Sequence, residues 1–165
     1  YNLGVIRQRA GRPGEALANY EQAVALRPDY PDALYALGLV RAELGHHPAA
    51  VAAFRRALAA RRDWLDAETE LAWLLAVSSD AGVRDPQEAL ALARHARAAG
   101  GQDRLRVVDA LSAAMAATGD HAGAARDLQA WLDRHGGTIA PGVASEVRAR
   151  VDLYRRGTAF RVEAR

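Results

Sequence analysis

The chain has 165 residues, half of them hydrophobic and a quarter charged, enough for one domain with a continuous core. Its 22 basic residues are all arginine and the net charge is only +2, so the pI of 9.4 reflects arginine's high pKa, and nucleic acid is not favoured as a partner. Cysteine is absent, which excludes disulfides, thiolate metal sites, covalently held c-type haem and a cysteine nucleophile, and no apolar run is long enough to span a membrane.

The first 60 residues state one pattern twice. Gly4 recurs as Gly38, Gly11 as Gly45, Ala16 as Ala50, Tyr20 as Phe54 and Ala23 as Ala57, each pair 34 residues apart. That period predicts helix–turn–helix units stacked into a solenoid. In the second copy, Leu34, Leu37, Gly38 and Arg41 form one stripe of a helix over about 31–44. Gly45 and His46 turn the chain, and Ala50, Phe54 and Ala57 form the inward stripe of a second helix. Gly38 and Ala50 are expected to be small because the two backbones approach closely there.

The third copy starts on phase at Leu71–Ala72, but its "EAL" at Glu88–Leu90 comes five residues late. The extra residues lie in "SSDAGVRDP", expected to be an inserted surface loop. Asp85 is the predicted N-cap of the next helix, with Pro86 at its first position and Glu88 as the capping-box acid. Ala89, Ala93 and Ala96 form its inward stripe. Leu111, Ser112, Met115, Gly119, Ala124 and Leu128 carry a fourth copy. A last helix over about 141–156 presents Val147, Val151 and Tyr154, and is expected to cap the solenoid against Leu128 and Trp131.

The residues "LG" at Leu3–Gly4 and Leu37–Gly38, "EAL" at Glu15–Leu17, and Tyr20, Ala23 and Pro28 resemble the tetratricopeptide repeat family. The chain departs from it at Arg62, where the first copy has Pro28, at Arg7 and Arg41, where tyrosine is usual, and at Trp131, where alanine is usual. The resemblance implies an all-α, right-handed superhelical solenoid of four helical pairs with a C-terminal capping helix. The repeats would cover about 1–28, 31–62, 65–100 and 103–135 of a single domain over 1–165. The ending also resembles a C-terminal module of larger bacterial repeat proteins, so the chain is expected to be a fragment of a longer protein. Alanine and arginine in excess without lysine fit a GC-rich bacterial genome, and the compartment stays open.

No catalytic constellation emerges, and the expectation is a protein without catalytic, cofactor-binding or metal-binding residues. His46–His47, near Glu43, reads as a solvated turn rather than a metal site, which needs three or four converging ligands. The arginines at 55, 56, 61 and 62, and those at 148, 150, 155, 156, 161 and 165, read as solvated faces.

The family resemblance places function on the concave face lined by the first helix of each pair. Its candidate partner-binding residues are Tyr1, Val5 and Arg9, then Asp32, Tyr35, Leu39 and Glu43, then Asp66, Glu70 and Trp73, then Arg106 and Asp109. The partner is expected to be a protein or peptide. Tyr35, Leu39 and Trp73 would be exposed anchors, with Asp66 and Glu70 selecting a neutral or basic segment. The clamp of lysine, asparagine and arginine that holds acidic chaperone tails in this family is matched here by Tyr1 and Val5, then Ala36, then Asp66 and Glu70, without its cations and with the opposite charge at two places, so a receptor of that kind is not expected. The alternative is a structural module packed against another subunit or domain of a larger envelope or redox complex.

Overall fold

A computed structural model describes residues 1–162. Within them nine α-helices follow one another: α1 (Asn2–Arg9), α2 (Pro13–Leu26), α3 (Pro31–Glu43), α4 (His47–Ala60), α5 (Leu65–Val77), α6 (Pro86–Ala96), α7 (Leu105–Ala117), α8 (His121–His135) and α9 (Pro141–Arg155). Each packs mainly on its neighbours in sequence, the arrangement of an all-α solenoid. Proline opens α2, α3, α4, α6 and α9, where its missing N–H costs nothing.

Each of the first two helical pairs is built on a glycine set against an aromatic ring. A Cβ on Gly38 would lie 2.5 Å from the Phe54 ring, and one on Gly4 would lie 2.5 Å from Tyr20. The aromatic ring, rather than close backbone approach at Ala50, is therefore what requires Gly38. At the corresponding places the third pair has Ala72 and Ala93, and the fourth Ser112 and Leu128, all buried. Gly11, Gly45 and Gly119 turn three of the pairs at φ of +69°, +79° and +100°, the left-handed conformation that ends helices at glycine.

The third pair has no such glycine, and the chain leaves α5 with Ser78 extended at ψ 134°. The loop that follows is not simply a surface excursion. Val83 is buried in the central core, the Asp85 N–H donates to the Leu75 carbonyl, and Arg84 donates to the Ser78 carbonyl. Asp85 caps α6 as predicted, accepting from the Glu88 N–H at 3.0 Å. The Glu88 carboxylate does not complete a capping box; it pairs with Arg55 on α4.

At the C-terminal end, Val147, Val151 and Tyr154 of α9 are buried against Leu128, Trp131 and Leu132 of α8. The Trp131 indole N–H donates to the Asp103 carbonyl at 2.9 Å. At the other end Leu3 and Ile6 of α1 are 50% and 62% exposed. Their counterparts in α3, Leu37 and Val40, are 2% and 0% exposed, in one core cluster with Ala16, Tyr20 and Val24 of α2.

Candidate functional site: the groove and the tail that enters it

The floor of the groove repeats a four-part aromatic contact. Tyr1 lies 6.1 Å from Tyr20 and 5.2 Å from Tyr30, and Arg27 sits over the Tyr30 ring. One period later, Tyr35 lies 5.8 Å from Phe54 and 4.7 Å from Trp64, and Arg61 sits over the Trp64 ring. Each groove tyrosine is thus wedged between the second helix of its own pair and the linker to the next. Burial, with Glu70 and Asp66 adding to it, pushes the Tyr35 phenol up to about 12, so it stays a neutral donor.

Tyr1, Val5, Gln8, Arg9, Asp32, Tyr35, Ala36 and Leu39 line a cleft of about 380 Å³ over α1 and α3. A second, of about 430 Å³, shares Leu39 and continues past Glu43, His47, Glu70, Trp73 and Arg106 to Val162. Ten of the twelve predicted groove residues therefore line one of two adjoining clefts, Asp66 and Asp109 being the exceptions. A separate cleft of about 530 Å³ lies between α8 and α9 and contains none of them.

Four expectations about these residues fail. Trp73 is not an exposed anchor: it is 9% exposed, with Arg106 over its ring at 4.4 Å and the Phe160 ring at 5.8 Å. Asp66 and Glu70 do not offer free charge. Asp66 pairs with Arg104 at 2.9 Å, and Glu70 accepts from the Arg106 guanidinium through both its oxygens. Asp109 is buried and pairs with Arg150 of α9 at 2.8 Å, so it joins the cap to α7 instead of facing a partner. Burial raises its carboxyl pKa, and the neighbouring Arg150 opposes that shift. His47, finally, is not in a solvated turn; it is 3% exposed and hydrogen-bonded to Ser78 Oγ at 3.2 Å.

The arginines likewise act as ties between units. Arg41 reaches Glu21, Arg55 reaches Glu88 and Arg97 reaches Asp127, each linking one unit to another, while Arg61 reaches Asp32 within the second unit. Arg7 and Arg41, which stand where the family usually has tyrosine, pair with Glu15 and Glu21. Arg9 and Glu43, at corresponding positions of α1 and α3, have no ion pair among the described residues. Arg165 and Glu163 lie outside the described residues.

Sequence reasoning missed the residues that cover Trp73. After α9 the chain turns at Gly157 and returns extended to the end of α5. The Val162 N–H donates to the Val77 carbonyl at 2.8 Å, and the Ser79 N–H donates to the Val162 carbonyl at 3.0 Å, forming an isolated parallel bridge. Arg161 donates to the Ala76 carbonyl. Tail and loop together therefore occupy the carbonyls of Leu75, Ala76, Val77 and Ser78, which a helix end leaves without intrahelical partners. The alternation of Phe160 and Val162 was the available signal, but a short stretch with no periodic partner does not reveal where it docks.

Asp63, Glu68 and His95 bring their ligand atoms within 4.8 Å of one another, the one such group among the described residues. Glu68 Oε2 is already hydrogen-bonded to His95 Nδ1 at 2.8 Å, a tie between α5 and α6 that needs no ion. No helix of the described chain is long and apolar enough to cross a membrane.

Residues 1–63 match the tetratricopeptide repeat family model. The first 63 residues thus carry tetratricopeptide repeat sequence, and the chain as a whole shares the fold of solved repeat proteins. No curated protein matches it in sequence. Among solved structures it is similar to MamA residues 41 to the end from Desulfovibrio magneticus RS-1, at 21% identity and a TM-score of 0.68, covering 94% of this chain and 92% of that one. It is similar to YrrB, described as a tetratricopeptide repeat protein with an unusual peptide-binding site, at 19% identity and a TM-score of 0.69, covering 94% and 76%. TTC0263, a thermophilic repeat protein of Thermus thermophilus, gives 22% identity and a TM-score of 0.70, covering 94% and 79%. At these identities the likeness is one of fold. Tetratricopeptide repeat proteins are generally non-catalytic scaffolds for protein or peptide partners.

Proposed function

We propose that this chain is a non-catalytic interaction scaffold whose groove over α1 and α3 holds a segment of a partner protein. The observation that carries the reading is the half-buried floor of Val5, Tyr35 and Leu39, which lines open clefts and is flanked by Arg9 and Glu43, charges without an ion pair among the described residues. An aromatic and aliphatic floor beside two isolated charges suits a segment with apolar anchors and polar flanks, because apolar anchors supply binding energy and charges tune selectivity. The peptide-binding site named for YrrB supports a peptide ligand for a solenoid of this kind.

Peptides selected from a phage-displayed random library against the whole chain test this. Leu39→Asp should weaken the selected peptides by about tenfold or more while leaving the melting temperature within a few degrees, since Leu39 is partly exposed. Peptides indifferent to both Leu39→Asp and Tyr35→Ala would place binding elsewhere.

A structural role in a larger assembly is the second reading, and the exposed Leu3 and Ile6 face of α1 favours it. On that reading Ile6→Asp would disrupt docking to another domain or subunit, while Leu39→Asp would not.

A further inference from the structure

We propose that the tail over residues 158–162 is a displaceable plug, and that its seat on α5 accepts extended partner segments that carry an aromatic residue, a basic residue and a β-branched aliphatic residue in succession. This deepens the groove reading and rests on it. The seat is specified atom by atom. The Trp73 ring receives Phe160 at 5.8 Å, and Val162 packs on the same core cluster two residues on, as alternate residues of an extended chain share one side. The Ala76 carbonyl takes the basic side chain at 3.2 Å. The Val77 carbonyl and the Ser79 N–H hold the backbone in parallel register, which is the way a peptide adds to an exposed edge.

Two features make the tail a replaceable occupant rather than part of the core. Among the described residues it belongs to no helix and holds to α5 through one isolated bridge, the Arg161 hydrogen bond and the packing of Phe160 and Val162, all at its own end, so it can open as a unit without disturbing the helices. Its seat also adjoins the cleft where Val162, Trp73, Glu43 and Leu39 meet. A partner segment longer than the tail's docked stretch gains contacts along that cleft and displaces the tail by mass action.

The test uses the whole chain and a fluorescent synthetic peptide with the sequence of residues 155–162. Phe160→Ala and Val162→Pro, made separately, weaken the resident tail through its side chain and through its backbone. If the tail competes, the peptide should bind each variant at least about tenfold more tightly than it binds the parent chain, because affinity scales with the fraction of open seat. A peptide with alanine in place of Phe160 should lose that binding. Hydrogen exchange of the parent chain gives the second readout. The Val162 amide should exchange through local opening, faster than the Asp85 amide that bonds the same helix end.

Equal weak binding to parent and variants, or a Val162 amide as slow as the α5 core, would overturn the proposal and make the tail a fixed strap. A dimer of the parent chain that disappears in Phe160→Ala would assign the seat to a neighbouring copy's tail and overturn it as well. Library-selected peptides that depend on Leu39 but bind parent and Phe160→Ala equally would sink the plug while leaving the groove reading intact. Peptides that never depend on Leu39 would sink the groove reading itself.

Discussion

Gly38 shows how much of this fold turns on single atoms. Gly38→Ala drives a methyl group into the Phe54 ring, and overpacking of that kind costs about 1–3 kcal/mol. Its melting temperature should fall, whereas alanine at Gly14, which faces open space within its helix, should hold or raise it. Trp73 is as tightly constrained, because it is covered: Trp73→Ala should cost about 3–5 kcal/mol of stability, and a small change in the denaturation midpoint would contradict its burial. Two histidines should titrate on opposite sides of the ordinary value of 6.5. The hydrogen bond and charge of Glu68 raise His95, so its stabilisation is complete below 6.5 and is lost as pH rises through the folded value. Burial lowers His47, so its stabilisation is present above 6.5 and is lost as pH falls toward the folded value. Ring-proton NMR titrations resolve the two directly, and Glu68→Gln should return His95 toward 6.5.

At the scale of elements, the inserted loop and the tail serve one end of one helix. Loop length alone carries a shallow entropic cost, which would make short deletions nearly silent. Removing residues 79–83 instead takes away buried Val83 and the Ser79 N–H that holds the Val162 carbonyl, and pulls Arg84 and Asp85 out of place for the Ser78 and Leu75 carbonyls, each polar group worth about 1–3 kcal/mol when left buried and unpaired. The denaturation midpoint of that deletion should drop clearly; an unchanged midpoint would mean that the helix end finds other partners. The cap depends on an ion pair in the same way. Arg150→Met leaves the buried Asp109 carboxylate uncompensated, at about 3–5 kcal/mol, while adding Asp109→Leu should restore much of the loss. The exposed inter-unit arginine pairs are each worth about 0–1 kcal/mol, so Arg55→Ala should barely register.

For the whole molecule, what sequence reasoning could reach follows from distance along the chain. The 34-residue period, the small residues at 4, 38, 50 and 57, the glycine turns and the Asp85 cap all express contacts within a unit or between adjoining units, so spacing reveals them. The charges of Asp66 and Glu70 were misread because their partners, Arg104 and Arg106, stand 38 and 36 residues on, just beyond one period. Writing acids of one unit against bases of the next would have found them. The cover on Trp73 had no such signal. Phe160 belongs to an aperiodic stretch, and the seat it fills is made by a helix more than two units earlier.

That long return has a consequence for timing. In a solenoid whose contacts otherwise run between neighbours, Arg161 bonds a carbonyl 85 residues back. A ribosome adding about 5–20 residues per second needs roughly 4–17 seconds to cover that interval. During it, α5 has emerged and packed on the units before it, while its last carbonyls and the Trp73 ring wait uncovered. The Trp73 seat is therefore open until residues 160–162 have been added, so a partner present during synthesis meets the seat before the tail does.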